Sequence, residues 1–568
     1  MAFPSLILSI FAFLGVSVHA AGPGPAEDLL LSSMKTELKR SYGQLRGAEN
    51  IPLYYLGYEV HDIHSYEVSA QLGAVQGESE RYYRLLDVDP RVGSKAFDNT
   101  HQIKGREAWS DHNDQVQTEI PTDDDEAAIR ASLWLRTDRA YQDALSRYAK
   151  VKTNKDVTAD EEDNSDDFST EKPVTFYEKT SMPALDKGTW KKRLRSLSLE
   201  FKPFPFVFDS NIGLSVRAEN RYITNSENSN IVTGNTYVRL SYRVATRTDD
   251  GMDLERSNIY DSNGLEDLPD DATIRKDIGK SISELKALLH APLVEPFTGP
   301  AIIVNRATGV YFHEILGHRL EGQRQKIEEE GQTFTKMLGK AVVAPFISVY
   351  DDPTRERFGK QFLRGFYKFD DEGVPARPVT LIESGLLKTF LLSRAPIRNF
   401  PSSNAHGRRS GGFEVVGRMG NTIVEASQTV PYAALRQKLM EEISRQKKPY
   451  GLIFEDITGG FTATTRSAPQ SFKVIPLLVY RVYPDGRPDE AVRGVDIVGT
   501  PLTAFSKIIA AADDAEVFNG TCGAESGWVP VSAVAPSVLV GELEVEKKSK
   551  SSEKPPILPP PFHDGSRQ

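Results

Sequence analysis

From about residue 345 to 545 the chain is cut by Gly and Pro into short segments of alternating apolar and polar residues, among them "PVTLIESGLLKTFLL", "NTIVE", "FKVIPLLVYRVY" and "SVLVGELEV". Period-two patterning buries one face of an extended segment, and frequent breaks keep each segment short, so this half predicts a largely antiparallel sheet. Upstream the pattern is mixed. Residues 24–48 place Leu29, Leu30, Met34, Leu38 and Tyr42 at helical spacing, and 51–93 alternate as paired strands. A helix from Asp125 to about Lys150 follows the acidic run "TDDDE", which suits a helix N-terminus. Residues 195–250 return to strand patterns, as in "SLEFKPFPFVF" and "TYVRLSYRVATRT", with turns at "NSENSN" and "DDG". An amphipathic helix from Asp271 to Leu289 and a short strand "AIIV" then lead into a helix.

The fold class is therefore α+β: a mixed α/β N-terminal domain over 21–290, then a C-terminal domain over 291–545 dominated by antiparallel sheet, with a helix of special interest at its start. A length of 568 residues suffices for two or three domains with separate cores. The acidic stretch near 156–171 has almost no bulky apolar residues and reads as a solvated loop or disordered insertion. The tail 546–568, rich in Pro, Lys and Ser, cannot bury enough apolar area to fold.

A net charge of −10 argues against a nucleic-acid surface, and no P-loop or dinucleotide fingerprint stands between a strand and a helix. The apolar run from Leu6 to Val18, followed by Val18-His19-Ala20, reads as a secretory signal peptide over 1–20, cleaved after Ala20. The alternative is an uncleaved anchor. No later apolar stretch approaches ~18 residues, so no membrane span is expected after signal removal and the mature protein is expected to be exported, periplasmic or secreted. Cys522 is the only cysteine, which rules out an intrachain disulfide and leaves a thiol needing protection by burial or a metal.

The stretch "GVYFHEILGHRLEG", Gly309–Gly322, carries His313, Glu314 and His318. Catalytic zinc usually takes three protein ligands, leaves one position open and needs a general base nearby. In a regular helix a spacing of five turns two side chains about 140° apart, so both imidazoles could face one metal only through a distortion. Gly317 could leave helical geometry, or a π-bulge could absorb the extra residue. The bland alternative is a partly buried helix whose histidines satisfy local hydrogen bonds, and a Cys522 that is simply a buried small residue. Against it, two imidazoles and a lone thiol are the parts of a His₂Cys site.

Taken together, "RATGVYFHEILGHRLEG", "FDDEGVPARPVTLIESGLLKTFLLSR", "HGRRS", "NTIVE" and "NGTCGAESG", in this order across roughly 295–530, resemble the TldD/PmbA family of metallopeptidases. The resemblance implies a zinc-dependent peptidase (Zn²⁺ on His313, His318 and Cys522, with Glu314 as general base) that hydrolyses peptides or unfolded segments. It also implies a two-domain subunit working as a dimer, either a homodimer or a heterodimer with a homologous subunit lacking the metal motif. This chain keeps every metal-site residue and so resembles the catalytic partner. The rival is an exported, non-catalytic binding or accessory subunit with a structural zinc site.

Two weaker candidates complete the reading. Arg408 and Arg409 of "HGRRSGG" could hold a substrate carboxylate, or belong to a solvated loop. Asp370-Asp371-Glu372 reads as an exposed turn between strands rather than a second acidic site.

Overall fold

The computed structural model describes residues 28–104, 117–157, 162–327, 330, 333–464, 471–548, 553–558 and 560–561. The signal-peptide reading over 1–20 and most of the tail reading lie outside them.

In the N-terminal half, two long hairpins build one sheet. Leu53–Gln71 pairs antiparallel with Ala74–Ser94 on one side and with Asp209–Asn225 on the other, and Asn230–Arg247 and Asp253–Ser262 extend it. Period two sorts the side chains of these strands onto two unlike faces. Tyr58, Val60, Tyr66, Val68, Ile212, Leu214, Val238 and Leu240 lie on the face covered by helices. Helices Leu29–Leu45 and Glu126–Val157 pack at one end of it, Lys187–Ser198 and Asp271–His290 at the other. The opposite face carries Glu59, His61, Glu219 and Arg221 and meets the C-terminal half through ion pairs and the Ile223–Ile231–Phe369 contact.

The C-terminal half contains two larger sheets. One runs Leu386–Leu387, Val379–Glu383, Ile347–Asp351, Asn421–Ala426, Gly527–Ala535 and Glu516–Ala524. In the other, Gly451–Thr462, Phe297–Ile303, Val538–Lys547, Val495–Gly499 and Phe472–Val482 pair in that order, and the last strand pairs again with the first, closing a ring. Most pairings are antiparallel as expected. The two exceptions are Asn421–Ala426 with Gly527–Ala535 and Phe297–Ile303 with Gly451–Thr462, which are parallel. Between the two sheets lies the helix Asn305–Ile315. Its residues from Ala307 onward are all buried, the condition of a helix surrounded by core. At Gly309 the helix runs close to a neighbouring strand, since a Cβ there would come within 3.1 Å of Ala533.

Three sequence expectations need correction. "SLEFKPFPFVF" is not a strand: Ser196–Ser198 end a helix, a 3₁₀ turn spans Leu199–Phe201, and the strand begins only at Asp209. The prolines at 203 and 205 remove the N–H groups a ladder needs, and Phe201 is buried under helices instead. The helix Tyr432–Arg445 stands inside a region read as strands, and buries Leu435, Leu439 and Ile443 on Ile302, Ile453 and Leu539. The described part of the acidic stretch is not a solvated loop. Asp163, Asp167 and Phe168 are buried, Asp167 bonding His101 and Lys326 and Asp163 accepting the Arg398 N–H. Phe168 lies beneath the guanidinium groups of Arg91 and Arg394, so cations supplied by distant segments fix residues whose own composition gives no sign of order.

Candidate metal centre

His313 sits in the last turn of Asn305–Ile315, which ends two residues later. At Leu316 (φ −103°, ψ −54°) the chain turns into a separate 3₁₀ segment, Gly317–Leu320, which carries His318. The distortion demanded by the five-residue spacing is thus a helix end, not a π-bulge. Gly317 has a different use from the expected one: a Cβ there would fall 2.0 Å from Met419 Sδ, so the missing side chain lets the 418–419 segment press against the turn.

Cys522 arrives on the strand Glu516–Ala524. Cβ atoms at the flanking Gly520 and Gly523 would meet the Phe518 and Trp528 rings. His313 Nε2 lies 3.1 Å from Cys522 Sγ and His318 Nε2 3.3 Å from it, with the two imidazoles at 83° to each other. The three donor atoms fall within 4.8 Å of one another, and all three residues are buried.

Around them stands a layer of charged groups that sequence reading missed. Glu321 is fully buried and faces His318 Nδ1 at 3.1 Å, Arg324 Nε at 2.8 Å and Arg418 Nε at 3.2 Å. Arg418, also fully buried, donates through Nη2 to the Cys522 carbonyl at 2.8 Å and to its sulfur at 3.2 Å. Arg324 reaches Glu525 at 2.7 Å. A carboxylate on the far nitrogen of a ligating histidine fixes its tautomer and ring orientation. The available signal was Glu321, three residues after His318 in the quoted motif. Arg418 had none, because nothing in "GRMGN" marks a partner 104 residues away.

The electrostatics fit a cation at the centre. Burial alone would raise the Cys522 thiol, but His318, His313 and Arg418 hold it well below its ordinary value. Burial would depress both histidines, yet the Cys522 charge pushes each above the usual imidazole value. The cluster thus favours a thiolate with positive charge beside it, and two imidazoles with one thiolate are a donor set suited to zinc. Among the described residues three such donors converge rather than four, so zinc held by them would keep a position for water.

Glu314 borders the same cleft, of about 580 Å³, which is walled by 456–464, by 518–524 and by Arg239 and Asn258 of the N-terminal sheet. Its carboxylate makes no hydrogen bond among the described residues. Burial pushes its proton affinity up, partly offset by His313 and His318. Gly460 makes room for it, since a Cβ there would lie 2.8 Å from Glu314 Cγ.

Arg408 and Arg409 are elsewhere. Arg408 is buried, donates to the Met419 carbonyl at 2.5 Å and lies over the Tyr367 ring. Arg409 binds Glu59 at 2.5 Å and the Phe413 carbonyl at 3.1 Å, bordering a second cleft. The Asp370–Glu372 segment is not an exposed turn. Asp370 is 1% exposed and accepts the N–H groups of Glu372, Val374 and Gly407, while Asp371 pairs with Arg221. Through Asp371 the segment joins the two halves of the chain.

Residues 297–547 match the PmbA/TldA metallopeptidase C-terminal domain. The chain is 29% identical over 251 residues to a metalloprotease TldD homolog of Haemophilus influenzae, covering 43% of this chain and 48% of that protein. It is 27% identical over 249 residues to a zinc metalloprotease TldD homolog of Saccharolobus solfataricus, covering 43% and 51%. It spans about half the length of these curated relatives. Among solved structures, TldE from Thermococcus kodakarensis aligns with a TM-score of 0.60 at 13% identity, over 90% of this chain and 100% of that one. A putative modulator of a DNA gyrase from Thermotoga maritima aligns with a TM-score of 0.60 at 15% identity, with the same coverage. At such identities the structural likeness shows the fold alone. The matched domain and the curated relatives agree: residues 297–547 form a domain of the TldD/PmbA family.

Proposed function

We propose that this chain is a zinc-dependent peptidase whose metal is held by His313, His318 and Cys522 and whose general base is Glu314. The observation that carries the reading is the convergence of these three donors on the floor of a cleft that Glu314 also borders. Zinc bound there supplies Lewis acidity, which makes water reactive near neutral pH and polarises a carbonyl. Glu314, desolvated and without a hydrogen-bond partner among the described residues, takes the proton from water and returns it to the leaving amine. Arg418 and Glu321 hold Cys522 and His318 in place, and buried Arg324 braces Glu321. The cleft has the volume of a small-ligand site and suits a short peptide or an extended, unfolded segment. A structural zinc in a non-catalytic subunit would ordinarily be closed by a fourth protein donor.

The test is mass spectrometry of a peptide library digested by the purified protein with and without a chelator. Cleavage that stops with the chelator and returns with added zinc supports the proposal; cleavage indifferent to both sinks it. Export and a dimeric state, alone or with a homologous subunit, rest on the sequence and the family resemblance. N-terminal sequencing of the secreted fraction and light scattering check them: an uncleaved cytoplasmic product or a monomer in every case would count against each.

A further inference from the structure

We infer that Arg306 is a substrate-anchoring residue that reads a carboxylate on the bound peptide. This rests on the peptidase reading for its substrate class, although its test does not. Arg306 lies in the first turn of the metal-bearing helix and lines the same cleft as His313 and Glu314. Seven residues separate it from His313, almost two full turns, which puts both on one helix face about 10 Å apart along the axis. Val310, at the intervening turn, lines the cleft as well.

Arg306 is unlike the cleft's other arginines. Arg239 is bound by Asp261 at 2.7 Å, and Arg324 by Glu321 and Glu525. Among the described residues the Arg306 guanidinium has no hydrogen bond and no ion pair, though the chain as a whole carries a net charge of −10. Nor does the helix explain it. The positive end of the helix dipole disfavours a cation in the first turn, where an acidic residue would be the stabilising choice. Half-buried and facing the cleft, its planar donor fork matches a carboxylate.

The spacing converts into a prediction about the substrate. An extended peptide advances about 3.3–3.5 Å per residue, so a carboxylate on Arg306 lies three or more residues from the scissile bond. The recognised group is either the peptide's C-terminal carboxylate or an acidic side chain at that distance.

The experiment measures binding, using the zinc-loaded Glu314→Gln chain so that peptides persist. Fluorescein-labelled hexapeptides of one apolar sequence are offered in three forms: a free C-terminal carboxylate, a C-terminal amide, and an amide with one internal Glu. At low salt, at least one carboxylate form should bind about tenfold more tightly than the plain amide. Which of the two does so identifies the source. Adding Arg306→Gln should abolish the preference, with Arg306→Lys restoring part of it, and circular dichroism checks that each variant is folded. Equal affinity for all three forms, no binding of any form, or a preference that survives Arg306→Gln in a folded protein overturns the inference. Failure of the unmodified chain to cleave peptides would instead count against the peptidase reading, leaving the affinity ratio to decide on Arg306.

Discussion

Two places among the described residues gather histidine and anionic donors closely enough for a metal: His313, His318 and Cys522 in the C-terminal half, and Glu59, His61 and Asp87 on the polar face of the N-terminal sheet. They differ in how their charge is already answered. At the first, both imidazoles turn Nε2 toward one thiolate beside an open cleft. At the second, His61 is held between two carboxylates, Glu219 at 2.6 Å and Glu59 at 3.4 Å. Arg409 already binds Glu59, and Asp87 accepts the Gly412 N–H. Burial would lower the His61 pKa, but Glu59 and Glu219 raise it to about 10, so a proton serves there as the cation. Proximity of donors is therefore a weak criterion on its own. Donor type, and the cations already present, separate a candidate metal centre from an ion-pair network that joins the two halves of the chain.

Metal analysis after dialysis puts the sharpest strain on this contrast. The unmodified protein should carry about one zinc per chain. Cys522→Ser should carry almost none, because a neutral hydroxyl is a far poorer ligand than a thiolate. His61→Gln should leave the metal content unchanged. Two zinc ions per chain, or loss of zinc in His61→Gln, would erase the distinction between the clusters.

A smaller effect tests the ion-pair reading of the second cluster. The folded pKa of His61 lies above the ordinary value of about 6.5, so its charge stabilises the fold fully below pH 6.5, and that contribution is lost as pH rises through about 10. Near pH 7 the shift corresponds to at most about 4 kcal/mol. Denaturant unfolding should show His61→Gln less stable than the unmodified chain at pH 6–7, with the gap closing towards pH 10. A gap independent of pH would contradict the assignment.

The same contrast shows what the sequence could reveal. The grouping of His313, His318 and Cys522 was legible, because two imidazoles and a lone thiol are the parts of a metal site, while Glu314 entered as what the family resemblance implies. The helix break between the histidines was legible as a geometric need, although the glycine proved to serve packing against Met419. The long hairpins and the helices Leu29–Leu45, Glu126–Val157 and Asp271–His290 follow period and capping close to expectation. Long-range electrostatics did not show. Arg418 reaches Cys522 across 104 residues, Arg409 reaches Glu59 across 350, and the acidic stretch owes its order to Lys326 and Arg394. Local composition marks such residues only as polar, since their partners are set by topology.

The central claim is that the cleft's three donors hold a catalytic zinc and that Glu314 works beside it as the base. Zinc content and peptide turnover measured together on Glu314→Gln test it most directly. Removal of a general base alone typically costs about 10²–10⁴-fold in rate, whereas this side chain is not among the three converging donors. The account predicts about one zinc per chain and turnover reduced by at least a hundredfold. Normal cleavage by that variant, or loss of its zinc, would contradict it.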